Sequence, residues 1–418
     1  MKKENEIKTV VPTLRFPRFQ DTEGWKEYIL CDFLLEQPRY GINAPAVPFQ
    51  EELPTYIRIT DISENGYFLP NPKVSVNQYA VSDFYLKIGD LVFARTGASV
   101  GKCYQYKEED GKLVFAGFLI KVSPDQTRLS SDFLFQFTFT QQYWKWIDLT
   151  STRSGQPGIN SKELASMELY LPVKDEQQKI ADCLSSLDEL IEATAQKVEA
   201  LKGHKKGLMQ RLFPEEGKDV PDLRFPEFQG KKEWDKKQIK DFGEVITGNT
   251  PSKKEEKYWN GDFVWVTAQD FKGKYINDSI LKLTKLGKDR ARVIPKNSVL
   301  ITCIASIGLN AINKVECSTN QQINTICCNQ EYNYEYVYYL VTYNTKNLKQ
   351  LAGQTAVPII TKKSFEEFEV YAIENYDEQQ KIADCLSSLD ELIEVISRKV
   401  EILKEHKKGL IQQLFPKI

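Results

Sequence analysis

The chain has 418 residues, of which 41% are apolar, and a formal net charge of −2 at pH 7. This length predicts two to four domains, and the near-neutral charge means that any DNA contact must come from local clusters of basic residues. The lack of an apolar run of about 18 residues argues against a membrane span. The eight cysteines form no CxxC pair, which argues against a zinc site. We expect them to be packed thiols in a reduced, cytoplasmic protein.

An internal duplication organises the sequence. The N-terminal segment, residues 1–24, contains "VPTLRFPRFQ" at 11–20, and "VPDLRFPEFQ" returns at 220–229 in a linker that spans 215–233. Between and after these copies lie two unlike globular regions, 25–172 and 234–375. A long helical segment follows each region, at 173–214 and 376–418. The predicted order is therefore segment, globular region and helix, repeated once.

The first globular region has the pattern of a mixed α/β domain. β-rich runs occur at 55–62, 90–95 and 117–122, and "DFLFQFTFTQQYWKWI" at 132–147 predicts one aromatic helix. The second region repeats this order, with runs at 263–268, 298–307 and 320–328 and a helix candidate at 335–351. We interpret the aromatic residues of these helices as core rather than as platforms for stacked bases.

The two helical segments predict a coiled coil. "DEQQKIADCLSSLDELIE" occurs unchanged at 175–192 and 377–394, and 32 of 40 positions are identical over 175–214 and 377–416. Apolar residues recur in alternating steps of four and three, from Ile180 to Leu212 and from Ile382 to Leu414, as a coiled-coil seam requires. We expect an antiparallel pair, with Asp175 and Asp377 as N-caps and Gln178 and Gln380 completing capping boxes. Pro214 and Pro416 end the helices.

The identical polar residues of the helices suggest a binding surface. A coiled-coil seam explains the apolar positions alone, and a recent duplication could leave the rest identical without a functional reason. Because the globular regions have diverged while the helices have not, we expect both helices to meet the same partner surface. The candidate residues are Glu176, Gln177, Lys179 and Asp182 in the first copy and Glu378, Gln379, Lys381 and Asp384 in the second.

Polar and glycine-containing loops are the candidate DNA contacts. Arg and Gln side chains suit bidentate contacts with guanine and adenine, and small residues permit close approach of the backbone, although each loop could equally be an ordinary turn. A basic region supports this weakly, with 16 Lys and Arg against 10 Asp and Glu between residues 230 and 300. The candidates are Arg95, Thr96, Ser99, Lys102, Arg153, Ser154, Gln156, Gln269, Ser306, Gln321, Gln354, Lys362 and Lys363.

Motifs for catalysis are missing. The sequence has no GxxxxGK[ST] phosphate loop, no acidic-Pro-Pro-aromatic motif and no glycine-rich cofactor fingerprint. His204 and His406 are repeat equivalents on the helices, where surface positions are a simpler interpretation than general bases. We therefore expect a non-catalytic binding and scaffold protein without a metal or cofactor of its own.

Together these features resemble the specificity subunit of a type I restriction-modification system. The most specific elements are the duplicated "EQQKIA" helix start and the "VP.LRFP.F" segment, and the resemblance covers essentially the whole chain. It implies an α+β multidomain fold in which two long antiparallel helices separate two mixed α/β target-recognition domains with pseudo-two-fold symmetry. It also implies double-stranded DNA, two methyltransferase subunits and motor-nuclease subunits as partners. S-adenosylmethionine, ATP and Mg are then expected in those partner subunits.

Helix length and divergence between the regions lead to a prediction about the target. A helix from Ile180 to Leu212 spans roughly 48 Å, somewhat more than one turn of duplex DNA. We expect an asymmetric bipartite target, with two short half-sites and a fixed gap that the helices set. The alternatives are a stand-alone DNA-binding regulator and a coiled-coil adaptor without a DNA role.

Overall fold

The computed structural model describes residues 9–78, 81–152, 157–215, 217–232, 234–352 and 358–417. They divide into two compact units. Unit 1 contains residues 1–195 and 398–418, and unit 2 contains residues 196–397. Each unit is thus a globular region joined by the start of the helix that follows it and by the end of the other long helix.

Unit 1 has three small sheets, ordered β1-β2-β11, β3-β10-β7-β8 and β4-β6-β5-β9. The strands are β1 (Thr9–Val10), β2 (Trp25–Ile29), β3 (Arg39–Tyr40), β4 (Ala46–Pro48), β5 (Thr55–Ile57), β6 (Val74–Val76), β7 (Leu91–Ala94), β8 (Cys103–Gln105), β9 (Leu113–Phe115), β10 (Leu119–Val122) and β11 (Glu168–Leu171). The helices are α1 (Ser131–Phe137), α2 (Gln141–Ser151), α3 (Ser161–Ala165) and α4 (Lys174–Leu212), the last of which continues into unit 2.

Unit 2 repeats this plan with sheets ordered β12-β21, β13-β20-β17-β18-β15 and β16-β14-β19. The strands are β12 (Asp235–Gln238), β13 (Gly243–Thr247), β14 (Trp259–Val266), β15 (Tyr275–Ile276), β16 (Leu281–Leu283), β17 (Val299–Thr302), β18 (Asn310–Asn313), β19 (Ser318–Thr319), β20 (Ile323–Cys328) and β21 (Glu369–Ala372). The helices are α5 (Lys285–Lys288), α6 (Tyr334–Tyr343), α7 (Thr345–Gln350), α8 (Lys362–Glu366) and α9 (Tyr376–Leu414), which continues into unit 1.

The prediction of one aromatic helix per region is wrong. Each is a pair, α1 with α2 and α6 with α7. The first break is at Thr140, whose side chain accepts a hydrogen bond from the backbone N–H of Tyr143 and so caps α2. Asn344 lies at the second break, between α6 and α7. The aromatic side chains are core, as predicted, since Phe133, Tyr143 and Tyr336 are buried.

A triad of aromatic rings closes each unit. In unit 1, Trp25 lies 5.7 Å from Phe133 and 5.9 Å from Phe415, measured between ring centroids. In unit 2, Trp234 lies 5.9 Å from Phe213 and 6.2 Å from Tyr336. Phe415 follows α9 and Phe213 follows α4, so the "LFP" motif that ends each helix also completes a core. Burial of one such side chain contributes roughly 1.5–3 kcal/mol before entropy.

The long helices run antiparallel within each unit, as predicted. In unit 1, the end of α9 contributes Ile411 and Leu414 to the core that also holds Ile180 and Leu184 from the start of α4. Lys407, four residues before Ile411 on α9, pairs with Asp188, four residues after Leu184 on α4, at 2.7 Å. In unit 2, Lys205 of α4 pairs in the same way with Asp390 of α9. None of the 20 predicted stripe positions is exposed.

The predicted N-caps are wrong by two residues. The helices begin at Lys174 and Tyr376, so Asp175 and Asp377 lie inside the first turn, where their charge still favours the helix dipole. In the second copy Asn375 is the cap, and its side chain accepts a hydrogen bond from the backbone N–H of Glu378 at 2.9 Å. The side chains of Gln178 and Gln380 donate instead to Asp182 and Asp384.

Candidate nucleic-acid interface

Two of the predicted loops of unit 1 meet at one sheet edge. The loop after β7 begins with Arg95, and the segment before α3 ends with Ile159, whose backbone N–H donates to the carbonyl of Arg95 at 2.9 Å. Gly97 donates to the carbonyl of Pro157 at 3.1 Å. Arg153, Ser154 and Gln156 immediately precede this segment and lie outside the described residues. The antiparallel pairing of β7 with β10 puts the turn before β10 at the same edge, where Arg95 donates its backbone N–H to Phe118.

Unit 2 builds the same edge from different residues. Cys303 takes the place of Arg95, since its N–H donates to the carbonyl of Gln322 at 2.8 Å and its carbonyl accepts from Ile360 at 2.9 Å. Ala305 takes the place of Gly97 and donates to Pro358 at 3.1 Å. The two residues share a left-handed backbone, with φ of +62° at Ala305 and +70° at Gly97. These bonds also make Ile159 and Ile360 equivalent positions of the two units.

The loop after the first strand of each edge sheet completes the cluster, and sequence reasoning missed it. Gly41 follows β3 and Gly248 follows β13, and in both a Cβ atom would lie 2.1 Å from a neighbouring oxygen. Only glycine therefore fits at these two positions. A shared signal was present, because "YGINAP" and "TGNTPS" each place glycine after a strand and proline shortly afterwards.

Arg95 and Tyr40 dominate the chemistry of the edge in unit 1. The Arg95 guanidinium carbon lies 4.5 Å from the centre of the Tyr40 ring. The backbone N–H of Ser161 donates to the Tyr40 hydroxyl at 3.0 Å. Burial opposes ionisation of this hydroxyl, but the hydrogen bond from Ser161 and the positive charge of Arg95 outweigh it and lower the pKa of Tyr40. Beside them a cavity of about 310 Å³ is lined by Asn43, Arg58, Thr60, Gly117 and Phe118, among others.

The edge of unit 2 is built from amides and a neutral thiol. The Thr250 hydroxyl donates to the side-chain oxygen of the exposed Gln321 at 2.6 Å. Burial raises the pKa of Cys303 to about 11, so its thiol is uncharged at neutral pH. Asn249 ties this edge to the basic region, because its side chain donates to the carbonyl of Arg290 at 2.8 Å and accepts from the N–H of Arg292 at 2.7 Å.

The remaining DNA-binding candidates are less tightly grouped. Thr96 and Ser99 are half-buried in the loop after β7, and Ser306 is exposed in the loop after β17. Lys102 pairs with Glu64 at 2.6 Å, while Lys362 and Lys363 pair along α8 with Glu366 and Glu367. Gln269 is exposed in a turn after β14. Gln354 lies outside the described residues. DNA contact at all of these positions stays a prediction.

The prediction of an exposed partner surface is wrong for four of the eight helix residues. Glu176, Gln177, Glu378 and Gln379 are at most 2% exposed. Arg15 holds Glu176 through two bonds of 2.7 Å, and Arg224 holds Glu378 through two of 2.8 Å. These bidentate pairs fix the two copies of the repeated N-terminal segment to the two helix starts.

The first Gln of each "EQQKIA" is an internal tie as well. Gln177 accepts from the N–H of Ser130 at 3.0 Å and donates to the carbonyl of Pro172 at 3.1 Å. Gln379 accepts from Asn333 at 2.8 Å and donates to Ile373 at 2.9 Å. These side chains join the start of the long helix to the start of α1 or α6 and to the end of β11 or β21. Packing inside each unit therefore explains their identity in the two copies.

Four of the identical residues that stay exposed near the start of each helix lie on one face. They occur at spacings of three and four, which place side chains on the same side of a helix. They are Lys179, Asp182, Ser186 and Glu189 on α4, and Lys381, Asp384, Ser388 and Glu391 on α9. Next to this face in unit 1 is a pocket of about 500 Å³ lined by residues that include Phe16, Arg18, Asp175, Lys179 and Asp182.

The described residues contain neither a cluster of metal ligands nor a membrane-spanning helix. No group of three or more His, Cys, Asp or Glu side chains could hold a metal ion. No helix in the described part of the chain is long and apolar enough to cross a membrane.

Comparison with protein families identifies the chain. The family described as type I restriction modification DNA specificity domain matches residues 52–202 and 231–405. The chain belongs to this family. It is a specificity subunit that gives a type I restriction-modification system its DNA sequence specificity. Membership of this family favours that function over a stand-alone regulator or an adaptor without a DNA role.

Relatives of the specificity subunit agree with this assignment. The specificity subunit of the type I restriction enzyme MjaIX of Methanocaldococcus jannaschii is 37% identical over 181 residues, which are 42% of this chain and 42% of that protein. The HindI specificity subunit of Haemophilus influenzae is 26% identical over 421 residues, 83% of this chain and 89% of its own. Identity is therefore higher over part of the chain, and the likeness extends along most of it.

A solved structure shares the fold of this specificity subunit. The crystal structure of the S subunit of a type I restriction-modification system from M. genitalium superimposes with a TM-score of 0.63 at 15% identity. The match covers 98% of this chain and 100% of that one. Two recognition domains and a pair of long helices, as the sequence predicts, are thus features of the shared fold.

Proposed function

We propose that units 1 and 2 each read one half of an asymmetric bipartite DNA target. The observation that carries the proposal is the equivalence of the two sheet edges. Backbone hydrogen bonds place Arg95 of unit 1 and Cys303 of unit 2 at matching positions of one fold. Their bonding partners, Phe118 and Gln322, match in the same way. Charged, aromatic, thiol and amide groups make different hydrogen bonds to base edges. Two edges of the same shape but unlike chemistry fit two half-sites of unlike sequence.

The long helices then act as the spacer between the half-sites. Each is continuous over 39 residues, or roughly 58 Å at 1.5 Å per residue. One turn of duplex is about 34–36 Å, so the gap of unread base pairs would follow from helix length and from no base contact. Basic residues such as Arg290 and Arg292 would add phosphate contacts, which position a protein on DNA without reading sequence.

The specificity subunit also serves as a scaffold. We propose that the two exposed helix faces dock two methyltransferase subunits, one on each face, and that motor-nuclease subunits join for restriction. The chain itself would then be non-catalytic. S-adenosylmethionine, ATP and Mg would be bound by the partner subunits.

Methylation mapping tests the proposed reading. In cells carrying the complete system, single-molecule sequencing should find one methylated motif of two unlike halves with a constant gap. A second strain carries the subunit without one heptad in each helix, residues 193–199 and 395–401. Since seven residues are about 10.5 Å of helix, we expect the same halves with a gap shorter by about three base pairs, or loss of methylation. An unchanged motif in this strain would contradict the spacer, and a continuous or symmetric wild-type motif would contradict the two readers.

A further inference from the structure

Arg95 stands apart from the other arginines of unit 1. Arg15, Arg18, Arg39 and Arg58 each have a carboxylate oxygen within 4 Å. Arg128 donates to the backbone carbonyl of Asp32. The Nε of Arg95 is buried without a partner, as is that of Arg39, but Arg39 still donates through Nη2 to the carbonyl of Asp83. Among the described residues, nothing accepts a hydrogen bond from the Arg95 side chain. Since buried N–H groups are nearly always satisfied, an orphan of this kind needs a reason.

The position of Arg95 is fixed from several sides. Its backbone is bonded to Phe118 at 3.1 Å and to Ile159 at 2.9 Å, so it cannot shift along the edge. Its guanidinium stacks on Tyr40, which the backbone of Ser161 holds by its hydroxyl. A stacked guanidinium keeps its plane, and its N–H groups remain available in that plane. The side chain is thus oriented in advance, at little entropic cost on binding.

We propose that Arg95 reads a guanine base in the half-site bound by unit 1. The inference rests on the proposed function of the two edges and adds the class of ligand. Two parallel N–H groups of arginine match the O6 and N7 acceptors of guanine in the major groove. Arg95 forms no ion pair with a carboxylate of the described residues, although the charge of Glu163 reaches the Tyr40 hydroxyl beside it. Cys303, buried and neutral, occupies the equivalent place in unit 2, so this contact belongs to one half-site only.

A phosphate contact would use the same charge and has to be separated from base reading. A phosphate contact weakens binding to all sequences equally when it is removed, and it lowers the salt dependence of binding. A base contact instead changes the preference at one position. A bidentate pair discriminates against the wrong base by roughly 5- to 150-fold.

The experiment combines protein variants with base substitutions. The wild-type motif is first determined by methylation sequencing, and the complex of specificity and methyltransferase subunits is then purified. Binding is measured by fluorescence anisotropy for the cognate duplex and for duplexes with each G·C pair replaced in turn. The variants are Arg95→Gln, Arg95→Lys and the control Lys145→Gln, an exposed residue of α2 in the same unit.

The proposal predicts that the effect of replacing one G·C pair depends on the residue at position 95. Replacing one G·C pair of one half-site should weaken wild-type and Lys145→Gln binding by about 10- to 100-fold, yet weaken Arg95→Gln binding less than threefold. Arg95→Lys keeps the charge but not the planar fork, so it should lose most of the discrimination while retaining the salt dependence. The other half-site serves as an internal measure of folding, because its discrimination should be unaffected.

Three results would overturn the proposal. One is uniform weakening of Arg95→Gln on all duplexes with a reduced salt slope, which identifies a phosphate contact. Another is binding like that of the wild type on every duplex. The third is a wild-type motif whose two halves contain no G·C pair. Failure of the proposed function is distinguishable from these, since the wild-type complex would then show no bipartite motif before any variant is tested.

Discussion

Glu335 is a residue whose charge joins the globular part of unit 2 to its long helix. Its carboxylate accepts hydrogen bonds from Tyr275 at 2.7 Å, Ser387 at 2.7 Å and Lys274 at 3.0 Å. Burial opposes its ionisation, but these three bonds outweigh burial and hold the pKa of Glu335 below its usual value. Ser387 lies on α9 and Lys274 precedes β15, so ionised Glu335 connects three elements.

Glu335→Gln should therefore destabilise unit 2 in a pH-dependent way. A carboxyl whose folded pKa is depressed stabilises the fold above its unfolded pKa of about 4.3. This stability is lost as the pH falls through the lower folded value. At pH 7 we expect a loss of the order of 1 kcal/mol, or about 2–4 °C in melting temperature, shrinking towards zero below pH 4. Melting curves at several pH values measure it, with the exposed Glu331→Gln as control. A difference that is constant with pH would contradict the assignment.

The sequence predicts the environment of a side chain better when its contacts are with nearby residues than when its partner is distant in the chain. It indicated the turn that begins at Arg95, because small and polar residues after a strand are visible in the chain. It did not show that Glu176 is buried, since its partner Arg15 is 161 residues away. Nor could it show that Tyr40 lies under Arg95, a contact made only when β3 and β7 both pair with β10.

Two ion pairs lie at equivalent places along the helix pair. Asp188 accepts from Lys407 with both oxygens at 2.7 Å and from Gln136 at 2.9 Å, and Lys407 also lies 4.8 Å from the Phe139 ring. In unit 2, Asp390 accepts from Lys205 and, at 2.6 Å, from Tyr339. Each lysine is a polar member of a stripe that is otherwise apolar, apart from Thr194 on α4. Polar residues in a coiled-coil seam specify register and direction.

Breaking one of these pairs should cost more than breaking a surface pair. The side chains of Lys407 and Asp188 are 12% and 23% exposed. We expect Lys407→Met or Asp188→Asn to destabilise the protein by about 1–3 kcal/mol, and the double variant Lys407→Met with Asp188→Asn to cost less than the sum of the two. Denaturant unfolding gives the coupling energy. Glu401→Gln, in an exposed pair with Lys404, is the control and should change stability by less than about 0.5 kcal/mol. A coupling energy near zero would argue against a role in register.

The sequence predicted helices correctly where the repeat of apolar residues is long. The 4-3 repeat predicted both helices because it persists from Ile180 to Leu212 and from Ile382 to Leu414, and no position of the stripe is exposed. Shorter elements were less accurate. The aromatic runs gave one helix where there are two, since a cap such as Thr140 takes effect only when the chain turns there. The strand pairings, such as parallel β5 with β9, follow from tertiary packing and carry no local signal.

At the scale of the whole complex, the exposed helix faces should control assembly. Charge reversal at both Asp182 and Asp384 is expected to weaken association with the methyltransferase subunit, because each side chain is exposed and identical in the two copies. Each single reversal should leave one methyltransferase bound. Co-purification and size-exclusion chromatography measure the stoichiometry, and methylation sequencing checks that the motif is unchanged. Glu405→Lys is the control, since Glu405 is exposed but Gly203 replaces it in the other copy. Full stoichiometry in the double variant would exclude this face.

The aromatic triads have a consequence for how the chain is made. Unit 1 needs Phe415, which the ribosome adds 390 residues after Trp25. Part of the core of unit 1 is therefore open to water until Phe415 has been made. Contacts so distant in sequence form slowly, and exposed apolar surface favours aggregation meanwhile. The triad of unit 2 spans only residues 213 to 336, so unit 2 can complete its triad before unit 1 does.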